Sequence, residues 1–165
     1  MKKNNKNTKG GDVFNSSLDI GLRTLFLLVE TKKTYDLQSL VYLDYFLIHS
    51  GDVIDGPESL HPASKFRAGE ILVKRDLMKE GLQMLHLKQL LDVVSCEDGI
   101  YYSKNKLTSA FIKNHFRTDY SKDLAVRAKW VSKRFGKYDE KKLKQYVDKN
   151  ISKWGAEFLD KTSNK

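Results

Sequence analysis

Two histidines and four carboxylates fall close together along one stretch of the chain: His49, Asp52, Asp55, Glu58, His61 and Glu70. Imidazole nitrogens and carboxylate oxygens are the donors that hold divalent cations, so metal-assisted chemistry is what such a set could serve. The spacing argues against it, because it matches no H-E-x-x-H helix and no nuclease-like set of carboxylates. His49 closes an apolar segment, where an imidazole commonly bonds backbone carbonyls. His61, just before Pro62, reads as an anchor for a loop. A structural role is expected for all six, with no metal and no cofactor.

Nucleophile arrangements are equally poor. Ser50, in His49-Ser50-Gly51, lacks the G-x-S-x-G elbow that presents a serine hydroxyl. Cys96, the sole cysteine, stands between Ser95 and Glu97 with no nearby cation to favour its thiolate. There is no G-x-x-x-x-G-K-[ST] loop, so ATP would have to be bound by another protein. These residues point away from catalysis and small-molecule substrates.

Helices must position whatever these residues do. Ser16 or Ser17 can cap a first helix, with Asp19 near its start and Leu18, Leu22, Leu25, Leu28 and Val29 at helical spacing. Asp36 caps a second, whose Leu37, Leu40, Val41, Leu43, Phe46, Leu47 and Ile48 cover nearly every face, as in a buried central helix. Residues 50–62 form a loop punctuated by Gly51, Gly56, Pro57 and Pro62. A long helix is expected over 68–90, then strands over 91–96 and 100–103 around a Glu97-Asp98-Gly99 turn, where glycine supplies positive φ. Helices over 107–116, over 121–135 and from about 139 onward complete the chain. The fold class is therefore mainly α: a winged helix-turn-helix body with a small two-stranded β-hairpin wing, followed by C-terminal helices. We divide it into a disordered basic arm (1–11), a winged-helix domain (12–117) and basic C-terminal helices packed on it (118–165).

Charge is unevenly distributed. The net +9 divides into +4 over residues 1–11, −3 over 12–112 and +8 over 113–165. Such asymmetry suggests an anionic partner near the C-terminal third, either nucleic acid or an acidic protein face. Arg127, Lys129, Lys133, Arg134 and Lys137 cluster within eleven residues, and Lys141, Lys142, Lys144, Lys149 and Lys153 line the polar side of the last helix. The candidate nucleic-acid contacts are Arg127, Lys129, Lys133, Arg134, Lys137, Lys141 and Lys144. Trp130 and Trp154, at helical spacing with apolar residues, read as core. No apolar run approaches the roughly 20 residues that span a bilayer, and one cysteine suits a reducing compartment, so a cytoplasmic protein is expected.

The third helix of a DNA-reading winged helix should expose a basic face. Projected at 100° per residue, Ile71, Met78, Leu82 and Leu85 fall together, flanked by Val73, Leu77 and Met84, and this arc faces the core. The opposite arc holds Arg75, Lys79, Gln83 and His86, interrupted by Asp76 and Glu80. Acids there repel phosphate, so this mixed face suits a protein contact better than base readout. Glu97 and Asp98 at the tip of the wing argue the same way.

Several stretches together resemble a known family. Residues 14–23 (FNSSLDIGLR), 43–52 (LDYFLIHSGD) and 59–62 (SLHP) are similar to the middle component of ABC-three-component systems. So are Arg67-Ala68-Gly69-Glu70, Lys74-Arg75-Asp76-Leu77, Gly81-Leu82, Gly99-Ile100-Tyr101-Tyr102 and the segment from Tyr120 through Trp130. The likeness covers about 14–135 and leaves the lysine-rich last helix outside. That family overlaps the small accessory subunit of Lamassu-type anti-phage and anti-plasmid systems. The resemblance implies a partner ATPase of the SMC or Rad50 kind, an effector subunit, often a nuclease, and no catalytic residue here. The expected function is a non-catalytic adaptor that helps couple sensing of double-stranded DNA, bound without sequence specificity through the complex, to the effector. The alternative is a winged-helix DNA-binding transcriptional regulator.

Overall fold

Ser16 and Asp19 start the first helix by bonding each other's backbone. The Ser16 hydroxyl accepts from the Asp19 N–H at 3.2 Å, and the Asp19 carboxylate accepts from the Ser16 N–H at 3.3 Å. This reciprocal box satisfies two donors that a helix N-terminus leaves unpaired. The computed structural model describes residues 15–63 and 67–162. The basic arm proposed for 1–11 lies outside them. Helix α1 runs Ser17–Val29 and strand β1 is Tyr35–Asp36. Asp36 then caps α2, Leu37–Ile48, by accepting from the Ser39 N–H at 2.9 Å. Every residue from Ser39 to Ser50 is buried, as the all-round apolar pattern requires.

A single turn of 3₁₀ helix, Ser50–Asp52, opens the loop that leads to α3, Arg67–Leu87. The hairpin β2 (Asp92–Cys96) and β3 (Gly99–Ser103) follows, then α4 (Lys106–His115), α5 (Asp119–Phe135) and α6 (Glu140–Thr162). Gly99 has φ of 139°, so the turn uses the backbone freedom that glycine provides. Among the described residues the chain is mainly helical with one small antiparallel sheet, and no helix is long and apolar enough to cross a membrane.

The sheet has three strands in the order β1-β3-β2, not two. Tyr35 pairs with Tyr102 and Asp36 with Tyr101, which adds β1 to the hairpin edge. Two residues, the second of them the cap of α2, carry no alternating pattern, so the strand has no sequence signal of its own. The long helix ends at Leu87 instead of residue 90. Gln89 takes a left-handed conformation with φ of 58°, and the Leu90 N–H bonds back to the Leu85 carbonyl, closing the helix in the manner of a Schellman motif.

Helices α1 and α3 form the most extensive helix pair, and their backbones meet at Gly21 and Gly81. A Cβ on Gly81 would lie 2.0 Å from the Ser17 carbonyl oxygen, so only glycine permits this approach. The close crossing selects which arc of α3 is covered. Ile71, Lys74, Met78, Leu82 and Leu85 are buried, whereas Val73 is 66% exposed and Met84 also reaches solvent. The expected core arc therefore shifts: the flank of Val73 and Met84 turns outward, and a lysine takes its place.

Helices α5 and α6 both pack on α2. Phe46 of α2 stacks on Phe135 of α5 with centroids 4.4 Å apart, and Trp154 of α6 stacks on Tyr45 at 5.0 Å. Leu124, Ala128, Val131, Phe135, Leu143, Val147 and Trp154 join the same core as α1 to α3. Trp154 is buried, as expected of a tryptophan at core spacing, while Trp130 is half-buried at the edge.

Candidate functional site

Among the residues singled out for chemistry, the structure gathers part of the set around a buried ionic cluster. Asp44, fully buried on α2, accepts two parallel hydrogen bonds from the Arg23 guanidinium of α1, both 2.9 Å. Lys74 of α3 enters the same space. Its Nζ lies 2.7 Å from Glu70 Oε1 and 3.9 Å from Asp44 Oδ2. His49, at the C-terminal end of α2, places Nε2 3.3 Å from Glu70 Oε1. Two cations thus oppose two carboxylates where three helices meet, which is how buried charge is tolerated at all. Of this cluster, Arg23, Asp44 and Lys74 were missed as site residues. For Arg23 and Asp44 the signal was a single charge inside an apolar helical segment, whereas Lys74 stands in the charged run Lys74-Arg75-Asp76 and carried none.

The electrostatics follow from this crowding. Burial alone would raise the Asp44 pKa, but the Arg23 charge and hydrogen bonds with it, together with Lys74, hold it below the usual carboxylate value. Burial works against Glu70 ionising too, yet the bond from His49 and the Lys74 charge prevail and bring it to about 2. His61 is pushed down to about 4, first by burial and then by the Arg23, His49 and Lys74 charges, with Asp44 opposing.

His49 turns its imidazole to a carboxylate, not to the backbone carbonyls expected of it. His61 does act as an anchor: Nε2 shares a 2.9 Å hydrogen bond with the Tyr120 hydroxyl of α5. Tyr45 donates to the Asp52 carboxylate, and Ser50 donates its hydroxyl to the Glu58 carbonyl at 3.0 Å. Asp55 and Glu58 are exposed, so the six polar residues do not converge. Among the described residues no three His, Cys, Asp or Glu side chains come together as a metal ion would need.

The basic residues are divided by the fold. Arg127 is half-buried, and its Nε donates to the Glu58 carbonyl at 3.0 Å, clamping the α2–α3 loop. Lys129 and Lys133 are exposed one turn apart on α5, and Lys137 is exposed just beyond its end. Arg134, also exposed, stands with its guanidinium 5.6 Å from the Phe135 ring centre, and burial raises the pKa of the Tyr146 phenol of α6 with the Arg134 charge opposing it. On α6, Lys141 is exposed and Lys144 pairs with Asp148 at 2.5 Å. Lys142, Lys149 and Lys153, outside the chosen set, are exposed as well.

The mixed-charge face of α3 is open. Arg75, Lys79, Gln83 and His86 are all exposed, with Asp76 and Glu80 between them and Leu72 and Leu87 each 74% exposed alongside. Glu80 accepts a hydrogen bond from the Ser17 hydroxyl, and His86 Nδ1 lies 3.3 Å from the Leu91 carbonyl. Burial raises the pKa of the Tyr102 phenol of β3, and the Arg75 charge opposes it.

A mainly helical body with a small sheet, an internal ionic cluster and open charged faces is the class of protein these features define. The chain belongs to the Middle Component 2 family of ABC-three-component systems, whose family model matches residues 13–157. That span reaches beyond 135 into most of α6, so the lysine-rich helix falls inside the family pattern, not outside it. Nothing matches among curated proteins or among solved structures.

Proposed function

We infer that this chain is a non-catalytic accessory subunit, an adaptor, in a bacterial Lamassu-type defence complex directed against phages and plasmids. Its partners in this reading are an SMC- or Rad50-like ATPase and an effector of the nuclease kind, and its place of work is the cytoplasm. The family match over residues 13–157 carries the reading, because a middle component is by definition one part of a larger system. The complex senses double-stranded DNA, and this subunit helps relay that event to the effector.

The order α1-β1-α2-α3-β2-β3, with strands arranged β1-β3-β2, supports a winged-helix body. In that body α3 is the helix offered outward. Alternating Arg75, Asp76, Lys79 and Glu80 favour a helical partner with interleaved charge, such as a coiled coil, over a polyphosphate. Coexpression with the ATPase encoded beside it, with a tag on one protein, tests the reading. Co-elution through moderate salt is expected, weakened by Arg75→Glu with Lys79→Glu. Clean separation of the wild-type proteins sinks it. A sequence-specific footprint made by this chain alone would instead favour a transcriptional regulator.

A further inference from the structure

We propose that the exposed flank of α6 carrying Lys142, Lys149 and Lys153, extended by Arg134 of α5, is a contact surface for the phosphate backbone of duplex nucleic acid. It deepens the adaptor reading, on which the presence of DNA in the complex rests. The surface differs from the one that sequence density selects. Along a helix, positions 142, 149 and 153 lie at i−4, i+3 and i+7 from Tyr146 and so share its side of α6. Arg134 approaches the same place from α5: its guanidinium lies 5.6 Å from the centre of the Phe135 ring, which packs edge-on against Tyr146 at 5.2 Å. Four cations from two helices therefore adjoin one another.

On the opposite side of α6 one of the two lysines is already engaged, and Lys141 alone is exposed without an acidic partner among the described residues. Lys144 is paired with Asp148, and the charges of Lys144, Asp148 and Glu140 all bear on Tyr42 of α2. On the Tyr146 side, none of Lys142, Lys149 and Lys153 has an acidic side-chain partner among the described residues. Asp139, near Lys142, accepts a hydrogen bond from the Lys142 backbone N–H at 2.8 Å and forms no ion pair with its ammonium among the described residues. Exposed lysines with no acidic partner among the described residues can displace counterions from a polyanion.

Length and packing favour a duplex. At 1.5 Å per residue, Lys142 and Lys153 are about 16 Å apart along the axis. Double-stranded DNA offers about one charge per 1.7 Å over such a length. Single strands are held chiefly by bases stacked on open aromatic faces. Here the aromatic rings are committed to the core edge: Tyr146 packs edge-on against Phe46, Phe135 and Tyr138, and Trp130 against Phe135. The flank provides cations without a stacking platform.

The test is fluorescence anisotropy of a labelled random-sequence duplex against the full chain across a salt series. Lys142→Gln with Lys149→Gln and Lys153→Gln should lower the slope of log affinity on log salt by about 2.7, since each phosphate contact contributes about 0.9. Lys141→Gln with Lys144→Gln should change it by about 0.9 at most, because Asp148 already holds Lys144. An equal or larger effect of that second pair overturns the assignment, as does an unchanged slope in the triple variant. Co-purification of the triple variant with the ATPase is measured in parallel. Loss of the ATPase with duplex binding intact would make the flank a docking site for an acidic protein and overturn the proposal. Failure of the wild-type chain to co-purify would instead sink the adaptor reading and leave the titration standing.

Discussion

Arg23 and Asp44 meet across the α1–α2 contact through Nε to Oδ1 and Nη2 to Oδ2, each 2.9 Å, with both side chains out of solvent. Removing one partner of such a pair strands the other. Asp44→Ala leaves Arg23 and Lys74 buried without their shared counter-charge, at a cost of about 3–5 kcal/mol. The double change Arg23→Met with Asp44→Leu removes both charges of the pair and should recover much of that loss. Urea unfolding followed by circular dichroism measures both, and an Asp44→Ala variant as stable as wild type would contradict the cluster.

The α1–α3 crossing gives a second test. Gly81→Ala drives a methyl into the Ser17 carbonyl, so the helices must separate at a cost of about 1–3 kcal/mol. At Gly21 the nearest atoms to an added Cβ are 3.0 Å away, so Gly21→Ala should be milder. Thermal melts of the two variants should rank in that order.

Acid should destabilise the protein in two steps. His61 has its pKa lowered to about 4 from 6.5, chiefly by burial and the Arg23 charge. Between those values the unfolded chain binds a proton that the folded chain excludes, so stability is full above pH 6.5 and falls as pH drops towards 4. Glu70, lowered to about 2 from 4.5 by His49 and Lys74 against burial, adds stability that is full above pH 4.5 and lost as pH falls through 2. His61→Asn should flatten the upper window and Glu70→Gln the lower, read from denaturation midpoints across a pH series.

Gln89 is a residue in a glycine's place. Its φ of 58° puts a side chain in the left-handed region at the end of α3. Gln89→Gly should raise stability by about 1 kcal/mol, because glycine adopts that conformation without a Cβ clash. A lower denaturation midpoint would show that the Gln89 side chain contributes something the backbone geometry does not require.

Trp154 ties the far end of the fold. Its indole N–H donates to the Asp52 carbonyl at 2.9 Å while the ring stacks on Tyr45. Trp154→Ala should cost about 3–5 kcal/mol. Trp154→Phe should cost less, because it keeps most of the ring burial while losing the hydrogen bond. Unfolding curves of both variants check the order.

The sequence by itself determined what is written within a few residues. Ser16 with Asp19, and Asp36 with Ser39, mark helix starts because cap and acceptor are three positions apart. Gly99 marks the hairpin because one residue's φ closes it. The all-apolar 37–48 segment announces its own burial, and the basic C-terminal third is visible by counting. Only the tertiary structure decided what depends on distant partners. Arg23 finds Asp44 21 residues away, Arg127 finds the Glu58 carbonyl 69 away, and Trp154 finds Asp52 102 away. That is why Arg127 reads as a free cation in the sequence and is a loop clamp in the fold. Lys74 reads as surface until the glycine crossing of α1 and α3 draws its side of the helix inward. Lys142 and Lys144, two residues apart, become unequal because a helix turns them to different sides, one beside Asp148 and the other beside Tyr146. Local spacing fixes caps and periodicity, whereas burial and charge pairing are set by which surfaces pack together.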